Sequence, residues 1–184
     1  MSALRGTPVQ MVKDLYSQVC SELLAAFGLT ATIEEASGHE PCVAESGMCS
    51  LLGATGDGIK LLSSLQADRQ LLAVLHPAGS DKVSRQELED CCGEINNQLV
   101  GRLKNKLLGY GCEVALGLPT LVTGDNLSAA APGKSNISHY RCKTKAGSMN
   151  LMLATLVAPE FDLREVPVAA DGESVMREGE ISLF

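Results

Sequence analysis

The chain has 184 residues, 45% of them hydrophobic, with a formal net charge of -7 and a pI near 5.0. That length and apolar share suit one globular domain, with or without a tail. The acidic balance offers no basic stripe to meet phosphates, which argues against nucleic acid, and no apolar run reaches membrane-spanning length.

The first element is predicted by its start. Thr7 stands at an N-cap, Pro8 at the first helical position and Gln10 where a capping box wants it. Val12, Leu15, Val19, Leu23 and Phe27 then share one face, and the helix is expected to stop near Gly28. Three strands follow: "LTATIEEA", "MCSLLGAT" and "GIKLLSSL", the last two joined by the turn "TGDG". A short helix in "QADRQLLAVLHP" ends before Pro77. A second long helix opens on Ser84 and Glu87, a capping-box pair. It carries Leu88, Cys92, Ile95, Leu99, Leu103 and Leu107 on one stripe and stops near Gly109. Three more strands are predicted: "CEVALGLPTLV" as one, then "ISHYRCKT" and "SMNLMLATLV" around "TKAG". Pro119 marks a sheet edge or bulge in the first of them.

A long helix plus three strands is thus used twice. This order predicts an α+β layered fold with pseudo-twofold duplication, its long helices packed on a mainly antiparallel sheet. The domain is read over residues 1–159, and residues 160–184 as an acidic tail whose final "ISLF" docks or pairs as a short strand.

The second long helix has an unusual outer face. At about 100° per residue, Asp90, Glu94, Asn97 and Gly101 fall opposite the apolar stripe. Glu94 and Asn97, three apart, are surface neighbours, whereas Asn96 lies at the edge of the buried stripe. A Gly at position 101 costs about 1 kcal/mol of helix stability against Ala and leaves a flat spot for another backbone. Taken alone, a Glu and an Asn on an outer face are most often only solvated.

The run "DCCGEINNQLVGRLKNKL" followed by "GLPTLVTGD" resembles the CheC/CheX/FliY family of chemotaxis phosphatases. The matching positions are Asp90, Gly93, Glu94, Ile95, Asn97 and Gly101, then Leu118, Pro119, Thr120, Val122 and Gly124. The first long helix has no Glu-x-x-Asn, so the resemblance points to a CheX-like chain with one site. It implies hydrolysis of the aspartyl phosphate on a CheY-type response regulator. In that reading Asn97 orients the attacking water and Glu94 contacts the regulator's active-site Lys. Asp90, Gly101 and Lys104 are candidate partner contacts. The resemblance implies no cofactor or metal of the chain's own, Mg²⁺ being supplied by the phosphorylated regulator, and it implies a homodimer. The alternative is a non-catalytic receiver-binding or flagellar-switch-like module on the same fold.

Other signals are weaker. "GATGDG" lacks the Lys-Ser/Thr of a phosphate-binding loop and reads as turn chemistry. The seven cysteines include no CxxC pair and are expected to be reduced and packed, Cys92 on the stripe and Cys91 on its flank. His39, His76 and His139 lack zinc-ligand spacing. Lys104, Asn105 and Lys106 read as a solvated helix end. The opening "MSALRGTPVQ" shows no apolar leader, so the cytoplasm is the expected compartment.

Overall fold

A computed structural model describes residues 6–36, 47–77, 83–124 and 135–164. The readings of residues 165–184, including "ISLF", lie outside the described residues, as does His39. In chain order the elements are α1 (Pro8–Ala26), β1 (Thr32–Glu35), β2 (Gly47–Gly56), β3 (Ile59–Ala67), α2 (Arg69–Leu75), α3 (Arg85–Leu108), β4 (Val114–Leu116), β5 (Thr120–Gly124), β6 (Asn136–Thr144) and β7 (Gly147–Val157).

Both long helices start where the caps predict. Thr7 Oγ1 accepts from the Gln10 amide at 3.3 Å, but the reciprocal half of that box is missing, because the Gln10 side chain donates to Asp14 at 2.8 Å. Ser84 and Glu87 form the whole box: Ser84 Oγ accepts from the Glu87 amide at 3.3 Å and Glu87 Oε2 from the Ser84 amide at 2.7 Å. Each helix buries its predicted stripe with one exception. Phe27 falls just past the end of α1 and is 37% exposed, since the helical period no longer carries it inward.

Seven strands form one antiparallel sheet in the order β1-β6-β7-β3-β2-β4, with β5 also paired to β2. The order is symmetric about the central β3–β7 pair, where Ser63 stands opposite Leu153. The first strand of each half crosses to the second strand of the other: β1 pairs β6, and β4 and β5 pair β2. The duplicated unit is therefore interlocked rather than side by side. The two hairpins turn where expected, and Gly58 supplies the left-handed residue of the first at φ 70°.

The stretch 112–122, read above as one strand, is two. It pairs with β2 at Val114–Leu116, leaves the ladder at Gly117–Pro119, and rejoins it at Thr120. Pro119 has no N–H to give the ladder, and the bend is tied by the Gly117 amide donating to the Gly53 carbonyl at 2.8 Å. The second half thus has four strands.

The three helices cover one face of the sheet, with α1 over β7 and α3 over β2 and β3. The core between them includes Leu23, Leu52, Leu65, Leu99, Leu103 and Leu151, all fully buried. Each such side chain contributes roughly 1.5–3 kcal/mol relative to exposure. Two polar ties fix the helices further. Asp68 Oδ2, just before α2, accepts from the Ser148 amide and hydroxyl at 2.7 and 2.8 Å. Lys106 Nζ meets Glu22 Oε1 at 3.0 Å and joins α3 to α1, so this lysine bridges two helices rather than forming part of a solvated end. Packing continues beyond β7: Phe161 lies against Gly58 and Leu163 is buried.

Candidate active site on helix α3

What points where on α3 is decided by its inner side. Leu88, Cys92, Ile95, Leu99, Leu103 and Leu107 face the sheet. Asn96 is buried completely rather than lying at the edge of the stripe. Its Nδ2 donates to the Ser50 carbonyl and hydroxyl at 3.1 and 3.2 Å, and its Oδ1 accepts from Ser63 Oγ at 2.8 Å. Ser63 in turn meets Tyr16 Oη at 2.8 Å. Every polar atom of the Asn96 amide is thereby satisfied, which a buried amide requires.

One residue on, the helix has turned outward. Glu94 is exposed, and its Oε1 accepts from Gln98 Nε2 at 2.9 Å, one turn along. Asn97 is half-buried, and among the described residues its side chain has no hydrogen-bond partner. Asp90 is exposed one turn before Glu94. Gly101 is half-buried one turn beyond Asn97, and a Cβ built on it would meet nothing within 4 Å. These four positions form a continuous strip. Lys104 is half-buried, with no ion pair among the described residues, and stands seven residues from Asn97, about 10 Å along the axis.

The flank of the strip is built by β5. A Cβ on Gly93 would lie 3.5 Å from Leu121 Cδ2, so this glycine lets the edge strand close against α3 immediately beside Glu94. The bend before β5 presents Leu118, which is 89% exposed. Cys91, placed on the flank by its spacing, is also buried; its thiol donates to the Leu72 carbonyl at 3.7 Å. Burial, and secondarily the Glu94 carboxylate, push that thiol up from its ordinary value, so it is a packed group rather than a nucleophile.

A carboxylate and a carboxamide on one outer strip can hold a cation and a water molecule. They supply no activated nucleophile of their own. Among the described residues no group of three or more His, Cys, Asp or Glu could hold a metal ion, and all six described cysteines are free and buried. No described helix is long and apolar enough to cross a membrane. Two polar contacts beside the strip were not anticipated from the sequence, that of Gln98 with Glu94 and that of Asn96 with the sheet. Gln98 is signalled by its i,i+4 spacing from Glu94, and Asn96 by Ser50 and Ser63, polar residues within otherwise apolar strands.

The family model of the chemotaxis phosphatase CheX matches residues 48–143, more than half of the chain, from β2 to β6. The chain belongs to the CheX family. Solved structures agree on the fold. A chemotaxis protein CheX from Vibrio vulnificus superposes with a TM-score of 0.69 at 16% identity, covering 79% of this chain and 99% of that one. CheX from Desulfovibrio desulfuricans gives 0.63 at 18% identity, over 78% and 97% of the two chains. The CheX of a Borrelia burgdorferi CheX–CheY–BeF3–Mg²⁺ complex gives 0.61 at 15% identity, over 79% and 97%. No curated protein matches the sequence. The CheX-family match includes the whole Asp90–Gly101 strip and the β4–β5 edge beside it.

Proposed function

We propose that this CheX-family chain hydrolyses the aspartyl phosphate of a CheY-type response regulator by orienting the attacking water. One observation carries the reading: Glu94 and Asn97 share an outer strip of α3, with the Asn97 amide left without a hydrogen-bond partner among the described residues. A carboxamide is no base at neutral pH, but it both accepts and donates, and so can hold a water in line with phosphorus. Phosphoryl transfer depends mostly on positioning and charge stabilisation. The regulator contributes Mg²⁺ and its Lys; this chain contributes the water's orientation. A hundredfold acceleration from that source corresponds to about 2.7 kcal/mol of barrier.

Glu94 is the docking group for the regulator's Lys. Asp90, Gly101 and Lys104 border the contact. The crystallised Borrelia burgdorferi CheX–CheY complex supports a receiver as the partner class. The chain is read as a cytoplasmic homodimer, with no cofactor of its own. The acidic balance gives no long-range attraction to a receiver's acidic pocket, so recognition rests on local shape and a few contacts.

The test is decay of acyl phosphate on a panel of phosphorylated receiver domains, with and without the chain. Accelerated decay on at least one is expected. Binding to a beryllofluoride-treated receiver with no acceleration of decay on any would instead assign the fold a non-catalytic docking role.

A further inference from the structure

We infer that Asn96 is the positioning residue of this site: its buried amide, bridging Ser50 on β2 and Ser63 on β3, fixes the rotation of α3 that aims Asn97 and Glu94 at the partner. The inference rests on the proposed reading of that strip. Its basis is a difference between two kinds of contact. The apolar stripe of α3 holds the helix to the sheet without directional preference. The Asn96 amide is directional, because hydrogen bonds weaken steeply as they bend.

The orientation of the amide is determined. The Ser50 carbonyl only accepts, so Nδ2 must face it, at 3.1 Å. Oδ1 then faces Ser63 Oγ at 2.8 Å and takes that hydroxyl's only proton. Tyr16 must therefore be the donor in its 2.8 Å contact with Ser63. Burial keeps the Tyr16 phenol well above its ordinary value, which preserves that donor. The chain α1–β3–α3–β2 is thus linked by four side chains and one carbonyl, with the donor and acceptor fixed from Tyr16 through Ser63 and Asn96 to the Ser50 carbonyl.

Asn96 and Asn97 are adjacent, about 100° apart around the axis. The Asn97 amide rides at roughly 5–6 Å from that axis. A turn of 10–20° displaces it by about 1–2 Å, and misplacement of about 1 Å can cost on the order of a hundredfold in rate. A buried amide held at both ends suppresses such a turn. A simple packing residue would not.

The test separates rotation from stability. Asn96→Ala should slow receiver dephosphorylation by about tenfold or more. A repacked variant, Asn96→Leu with Ser50→Ala, Ser63→Ala and Tyr16→Phe, replaces the linked polar side chains by apolar ones and should recover much of the lost stability, yet remain as slow. If the repacked variant regained wild-type rates, Asn96 would be structural only. In a Glu94→Ala, Asn97→Ala background, Asn96→Ala should cause no further loss of rate while its effect on unfolding persists; additive losses of rate would overturn the assignment. Residual dipolar couplings of the α3 amides give a measurement independent of activity. They should shift in Asn96→Ala as for a rotated helix, and unchanged couplings would sink the proposal. Absence of stimulation by the wild-type chain on any receiver would overturn the phosphatase reading alone, and with it the catalytic consequence of the clamp, while the couplings still decide whether Asn96 sets the helix.

Discussion

Gln98 Nε2 donates to Glu94 Oε1 over 2.9 Å, so this outer-face carboxylate is engaged by a side chain one turn along its own helix. An exposed i,i+4 pair of this kind stabilises a conformer by about 0.2–0.5 kcal/mol. Gln98→Ala should therefore weaken receiver binding only about twofold. Gln98→Lys should do more, because an ammonium beside Glu94 competes with the receiver's Lys for the same carboxylate. Its penalty should shrink as salt rises. Titration of a beryllofluoride-treated receiver at two ionic strengths checks both. A Gln98→Lys variant that binds as tightly as wild type at low salt would remove Glu94 from the docking contact.

The two site residues should separate kinetically. Asn97→Ala removes the group proposed to hold water, so stimulated dephosphorylation should fall by about a hundredfold, equal to roughly 2.7 kcal/mol. Binding should stay within a factor of about three. Glu94→Ala should raise the half-saturating receiver concentration as well as slow the reaction. Both side chains lie outside the core, so thermal midpoints should hardly move. Retained activity in Asn97→Ala would send the water-orienting role elsewhere.

The rotation of this helix was legible in the sequence for a physical reason. A 24-residue helix with a full capping box and a regular apolar stripe sets its rotation coarsely, enough to decide which of Asn96 and Asn97 faces out, and leaves roughly the last 10–20° to directional contacts such as those of Asn96. Long-range arrangement was less legible. Nothing local in "LTATIEEA" says that its strand will pair with β6, more than a hundred residues later. The break in 112–122 was half-visible: Pro119 announced an edge, but only the Gly117–Gly53 hydrogen bond shows that the ladder is left and rejoined. The Asn96 network was hidden because its partners come from β2 and β3, and pairing across elements leaves no periodicity in the chain. Phe27 shows the converse limit, since a stripe counted past the last helical turn keeps its spacing but loses its geometry.

Gly101 and Gly93 carry opposite expectations on one helix. Space around Gly101 is open, so Gly101→Ala should stabilise α3 by about 0.5–1 kcal/mol through helix propensity alone. Gly101→Leu should fold equally well but obstruct a receiver lying along the strip, lowering its affinity severalfold or more. Gly93→Ala meets Leu121 at ordinary contact distance and should be tolerated; Gly93→Leu should push β5 away and lower the thermal midpoint. Unfolding curves together with receiver titration distinguish these outcomes. Unchanged affinity in Gly101→Leu would free that part of α3 from the interface.

The buried thiols give the fold an alkaline limit. Burial, reinforced by neighbouring Cys49 and Cys91, pushes the Cys92 thiol up to about 12, whereas an unfolded cysteine ionises near 8.5. The folded state therefore holds the proton more tightly. The associated stability is complete below about pH 8.5 and is lost as pH rises towards 12. Above the unfolded pKa, each such group removes up to about 1.4 kcal/mol per pH unit. Burial likewise raises the Cys20 thiol and the Tyr140 phenol, which steepens the loss. Urea midpoints measured at pH 7.5, 9.5 and 10.5 should fall progressively, and Cys92→Ala should flatten the slope while lowering stability at pH 7.5 through the cavity it leaves. If the slope survived that substitution intact, ionisation of Cys92 would have no part in the alkaline transition.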